Sequence, residues 1–115
     1  MLRQGDTIHV SDHLCVVLSD PLNDPARVVL AVLTTFEPYK DDACLVSPGE
    51  HPFVKHLTCV SYDFFNETFP TEMLEKHPKH DPVSPALLLR ITQGAGQTRR
   101  IPNGLWLVLN NQGIV

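Results

Sequence analysis

Three kinds of side chain in this sequence, held at the right distances, can do acid–base chemistry on an anion. His13 opens one apolar run, HLCVVLS, and Thr34-Thr35 close the next, RVVLAVLTTF, while Lys55 and His56 end the segment GEHPFVKH. Imidazole suits proton transfer because its unperturbed pKa, about 6.5, lies near working pH. A threonine hydroxyl positions an oxyanion and a lysine steadies its charge. His13, Thr34 and His56 are therefore the candidate catalytic residues, with Thr35, Lys55 and His51 as candidate substrate contacts. His51 and His56 are five apart, which matches no common zinc spacing, and a third ligand such as His13 would have to come from elsewhere, so no metal or other cofactor is assigned.

Each of these residues also has a plain structural use. His13 beside Asp12 suits a turn with a satisfied ring nitrogen, and Thr34-Thr35 suit any strand. His77 and His80 fall in the proline-rich KHPKHDP and read as solvent-exposed loop. Arg99-Arg100 is either a phosphate contact or a solvated turn, the turn being preferred, and Tyr62 and Trp106 are assigned to packing before base stacking.

The elements that must position these groups follow from the pattern of the chain. Thr7 to Val10 reads as a short strand, and a turn at Ser11-Asp12 leads to the strand from His13. There Leu14, Val16 and Leu18 face one way and Cys15 and Val17 the other, so both faces must be covered. A loop with two prolines separates it from Val28–Leu33, whose β-branched residues favour a strand over a buried helix. Ala43–Val46 and Leu57–Tyr62 are further strands. Thr71 reads as the cap of a helical turn holding Met73 and Leu74. Ser84 as N-cap and Pro85 at the first position open a helix that ends at Gly94 and Gly96, and Leu105–Leu109 reads as a closing strand with a short helix as the alternative.

These 115 residues predict one domain spanning 1–115, of mainly β (α+β) class, a small curved sheet or barrel with a C-terminal helix. An apolar fraction of 43% against 19% charged excludes a disordered chain. A net charge of −4 gives no general attraction to a polyanion, so any nucleic-acid site must be a local basic patch. Cys15, Cys44 and Cys59 cannot all pair and lie among apolar neighbours, which makes them buried thiols. No segment has membrane-spanning length and MLRQGDTIHV is not a leader, so the expected location is the cytoplasm, with no membrane partner.

Several stretches together resemble the PemK/MazF toxin family: the Gly5-Asp6 opening, the strand Asp12–Ser19 ending in Val-Val-Leu-Ser, the strand running into Thr34-Thr35, Thr58 ahead of Val60-Ser61-Tyr62, and the helix opened by Ser84-Pro85. The similarity spans residues 3 to 93 and rests on order and strand character. It implies an SH3-like barrel, a homodimer, metal-independent cleavage of single-stranded RNA and control by an antitoxin protein. It also implies that Thr34 stands at the catalytic threonine and that His13 stands where the family has arginine; Arg27 is the one basic residue left between the two motifs, and Thr58 joins the candidate substrate contacts. A non-catalytic barrel of the same shape, binding a peptide or protein partner in a groove, is the alternative.

Overall fold

The computed structural model describes residues 1–115 as an α+β fold, with antiparallel strands in one main sheet and three helices. The strands are β1 (Thr7–Val10), β2 (His13–Val17), β3 (Arg27–Val28), β4 (Leu30–Thr35), β5 (Leu45–Val46), β6 (Thr58–Ser61), β7 (Phe69–Pro70) and β8 (Lys79–His80). The helices are α1 (Thr71–Leu74), α2 (Pro85–Gln97) and α3 (Asn103–Asn111). Six strands pair in the order β5-β6-β4-β2-β1-β8, and β3 with β7 forms a separate two-stranded ribbon. β5 and β8 are edges not bonded to one another, so backbone pairing leaves the sheet open.

Ser11 and Asp12 both take positive φ, 51° and 63°, and join β1 to β2 by the two-residue turn whose twist matches that of the flanking strands. Val10 then pairs with His13 and the register runs to Thr7 opposite Val16. The alternation in β2 sorts its side chains as the sequence predicts. Leu14, Val16 and Leu18 join a cluster of 17 buried residues under α2 and α3, whereas Cys15 and Val17 join one of 9 on the opposite face, closed by Leu2 and Leu74. A buried Leu or Ile contributes roughly 1.5–3 kcal/mol, so Leu87, Ile91, Leu105 and Leu109 hold the two long helices on the sheet.

Ser84 caps α2 as expected, its hydroxyl accepting from the Leu87 N–H at 3.1 Å with Pro85 following. The helix does not stop at Gly94, however, and continues to Gln97. A Cβ at Gly94 would overlap the Tyr62 hydroxyl and lie 2.9 Å from Cys44 Cβ. This glycine is there for close packing inside the helix.

Three further expectations are corrected. Leu105–Leu109 is helical, within α3: Leu105 and Leu109, one turn apart, are the buried pair and join the cluster that holds Leu87 and Ile91. KHPKHDP is not all loop, because Lys79–His80 pairs with β1 through Thr7↔His80 and Ile8↔Lys79. His77 and His80 are accordingly partly buried. Thr71 is the first residue of α1 with Pro70 as its cap, and its buried hydroxyl finds no partner. No helix is long and apolar enough to cross a membrane.

Candidate functional site

β2 begins and β4 ends at the same edge of the sheet, because the two strands run antiparallel. Leu14 pairs with Leu33, and one step further the same register sets His13 beside Thr34. Adjacent residues across such a ladder have Cα atoms about 5 Å apart. On the other side of β4, Thr34 pairs with Cys59 and Thr35 with Thr58. Two candidate groups from separate segments thus share one lip, with β6 supplying the third neighbour.

A cleft of about 220 Å³ opens at this lip, lined by Leu14, Leu33, Thr34, Thr35 and Thr58 on the sheet and by Phe53 through His56 on the loop above it. Strand alternation divides the hydroxyls. Thr35 shares the face of Leu33, whereas Thr34 turns toward the face of Cys59, where Lys40 Nζ donates to its Oγ1 at 3.1 Å. Thr58 is buried, and its hydroxyl donates to the His56 carbonyl at 3.0 Å, fixing the loop where it enters β6. The Lys55 and His56 side chains are exposed and make no ion pair, so both are free to meet a ligand.

His13 is half-buried and is not part of the cleft wall; its ring lies against Phe64, centroids 4.6 Å apart. It approaches the lip from the Thr34 face, opposite the side on which Lys55 and His56 stand. A group bound across the strand ends is reachable from both sides, whereas one sunk into the cleft meets only His56. Phe53 and Phe64, 51% and 49% exposed, flank the lip.

Two candidates are placed elsewhere. The Arg27 guanidinium donates from Nε to Thr68 Oγ1 and from a terminal nitrogen to the Thr68 carbonyl, both at 2.7 Å, within the β3–β7 ribbon. That ribbon precedes Leu30, the end of β4 remote from Thr34, so Arg27 does not reach the lip. His51 is 3% exposed. Its Nδ1 accepts from the Phe53 N–H at 3.2 Å, which assigns the ring proton to Nε2, and Nε2 donates to the Asp81 carbonyl at 2.5 Å. With both ring nitrogens engaged, His51 binds the loop that carries Phe53–His56 to the segment before α2.

No protein-family model, characterised protein or solved structure matches this chain. The site therefore rests on its own geometry. Lys40, Phe53 and Phe64 border it without having been singled out from the sequence. A local signal existed for Lys40: Glu37-Pro38 begins a turn, closed by the Lys40 N–H donating to the Glu37 carbonyl at 2.9 Å, that sends the chain back toward Thr34. Phe53 lies within GEHPFVKH, already marked by its histidines and lysine, whereas nothing local marks Phe64, which reaches the lip from the loop after β6.

The cysteine next to Thr34 in the pairing, Cys59, is 1% exposed and its thiol is held above the ordinary value, first by burial. It is a packing group and not a nucleophile. No three His, Cys, Asp or Glu side chains are grouped to hold a metal ion.

Proposed function

We propose that the chain is a toxin-like endoribonuclease that cleaves single-stranded RNA at the lip formed by β2, β4 and the Phe53–His56 loop. The observation that carries this reading is the convergence of His13 and Thr34 at one edge with Lys55 and His56 facing the same strand ends. The scissile phosphate lies across Thr34 and Thr35. One imidazole, His13, removes the proton from the 2′-hydroxyl as its oxygen attacks phosphorus. The other, His56, delivers a proton to the departing 5′-oxygen, while the Thr34 hydroxyl positions the phosphate and Lys55 stabilises the phosphorane. The products are a 2′,3′-cyclic phosphate and a free 5′-hydroxyl, with the base and acid exchanging one proton each.

The resemblance to the PemK/MazF family supports this assignment and brings with it an SH3-like description of the curved sheet, a homodimer, an antitoxin partner and a cytoplasmic setting. Phe53 and Phe64 offer surfaces on which unpaired bases stack, each such contact contributing about 1–3 kcal/mol.

The test is a digest of labelled single-stranded RNA in the presence of a chelator, comparing the parent with His13→Ala, Thr34→Ala and His56→Ala. Loss of a general acid or base lowers the rate by about 10²–10⁴-fold. A parent that leaves the RNA intact, or variants as active as the parent, overturns the assignment. The same two exposed aromatics, in an acidic chain, favour as second reading a non-catalytic module that grips a protein segment at this lip. That reading expects capture of such a segment to depend on Phe53 and Phe64 and to be indifferent to His56→Ala.

A further inference from the structure

The geometry points to a second anion site beside the lip, a phosphate subsite for the same RNA strand, built from Lys40, Arg99 and Arg100. It rests on the RNA-directed reading above and extends it to the nucleotides that flank the scissile step. Past the end of β4, the loop after Thr35 and the turn after α2 enclose a polar cleft of about 360 Å³. Its walls include Lys40, Asp41, Asp42, Thr98, Arg99 and Arg100.

Charge accounting singles this cleft out. The chain has nine Lys and Arg residues, and three of them are here. The ion pairs of the fold are Lys79–Asp6 and Arg90–Glu50, so none of the three is neutralised by a carboxylate within bonding distance, although two aspartates line the same walls. Asp41 is committed elsewhere: one oxygen accepts from the Ala43 N–H at 3.0 Å and the other from the Thr98 hydroxyl, which ties the loop to the end of α2. Counting the three cations against Asp41 and Asp42 leaves the cleft at +1, whereas the whole chain carries −4. In an acidic protein such a local surplus is what a phosphodiester needs in order to approach.

The donors are also held in place. Lys40 Nζ donates to Thr34 Oγ1 at 3.1 Å and to the Thr35 carbonyl at 2.7 Å, and its third N–H is unused. It therefore links the two clefts, holding the lip residues Thr34 and Thr35 while it lines the basic pocket. Arg100 rests one terminal nitrogen on the Tyr39 carbonyl at 3.0 Å, and its backbone N–H donates to Thr98 Oγ1 at 3.1 Å, so most of its fork remains open. Arg99 is exposed, with no side-chain partner in the fold. A helix C-terminus by itself attracts arginine, but that attraction does not explain why a lysine from another loop is turned toward the same space.

Binding of a single-stranded, fluorescein-labelled 2′-O-methyl oligoribonucleotide tests the subsite directly, because its blocked 2′-oxygen prevents cleavage. Titrations of the full chain follow anisotropy at several salt concentrations for the parent, Arg99→Ala, Arg100→Ala and Arg99→Lys, with thermal melts to verify folding. Arg99→Ala, which removes no internal contact, weakens binding about 3–10-fold and lowers the salt slope by roughly 0.7, the value of one phosphate contact to a single strand. Arg99→Lys keeps most of the affinity. Arginine variants that bind and cleave like the parent remove the subsite and leave the nuclease reading standing. Arginine-dependent binding by a parent that cleaves nothing keeps the subsite and removes the nuclease. A parent with no affinity for the oligonucleotide at low salt removes the subsite.

Discussion

The Tyr62 hydroxyl donates to the Ile91 carbonyl at 2.6 Å, pinning the residue that directly follows β6 to α2. Tyr62 is 2% exposed, and burial holds its phenol well above the ordinary range, so it stays neutral and donates. The contact needs Gly94 one turn further along α2, where any Cβ would strike the same hydroxyl.

Gly94→Ala therefore reverses the usual sign of a helical glycine substitution. Helix propensity favours alanine by about 1 kcal/mol, whereas overpacking costs about 1–3 kcal/mol. Net loss is expected in urea unfolding, and Tyr62→Phe in the same chain recovers part of it by removing the struck oxygen. Gly104, with nothing within 4 Å of its would-be Cβ, gives the opposite result: Gly104→Ala raises stability by up to about 1 kcal/mol. A stabilised Gly94→Ala protein contradicts this packing.

His51 acts as a clasp, and its removal should be felt in stability before activity. The Asp81 carbonyl takes both the His51 Nε2–H and the Thr7 hydroxyl, the latter at 2.7 Å, so it joins β1, the cleft loop and the approach to α2. His51→Phe leaves the Phe53 N–H without its acceptor and lowers the unfolding free energy by about 2 kcal/mol. Amide exchange at Phe53 rises in parallel. Unchanged stability together with lost RNA binding would return His51 to the site.

Glu50 and Arg90 make the pH dependence of the same loop predictable. The Glu50 carboxyl is held below its ordinary value first by its hydrogen bond from Arg90 and then by the Ser47 N–H, which donates at 2.7 Å. A lowered folded value means the contribution is present above the unfolded value of about 4.5 and is lost as pH falls through the folded one. The side chains are 30% and 44% exposed, so solvent screening limits the pair to about 1 kcal/mol. Glu50→Gln should flatten the fall in stability below pH 4.5 in acid urea titrations. An identical acid profile in parent and variant argues against the pair.

The three thiols predict the alkaline side. Burial pushes Cys15 up to about 12 and raises Cys44 and Cys59 as well. Raised folded values give stability that is full below the unfolded value, about 9.0, and lost as pH climbs toward the folded one. A disulfide-exchange reagent at pH 8 should label none of the three in the native protein within minutes and all three in guanidinium. Rapid labelling of one thiol in the native state would mark it as accessible.

Some of this was legible locally. The alternation of Leu14, Val16 and Leu18 against Cys15 and Val17 required two covered faces, and the two clusters occupy them. Ser84-Pro85 announced the start of α2, and Ser11-Asp12 the turn between β1 and β2. The two apolar runs that hold His13 and Thr34 read as strands, and their antiparallel pairing sets both residues at one end of the sheet.

Strand periodicity, caps and tight turns depend on residues within a few positions of one another, and these the amino-acid order determined unaided. Contacts between distant segments decided the rest. Only the meeting of Tyr62 with Gly94 let α2 run through two glycines, and only the burial of Leu105 and Leu109, one helical turn apart, in the cluster with Leu87 and Ile91 made Leu105–Leu109 helical. The same long-range packing buried His51, turned Arg27 to Thr68 and brought Lys40 against Thr34, because a polar side chain's partner is set by which loops the core draws together.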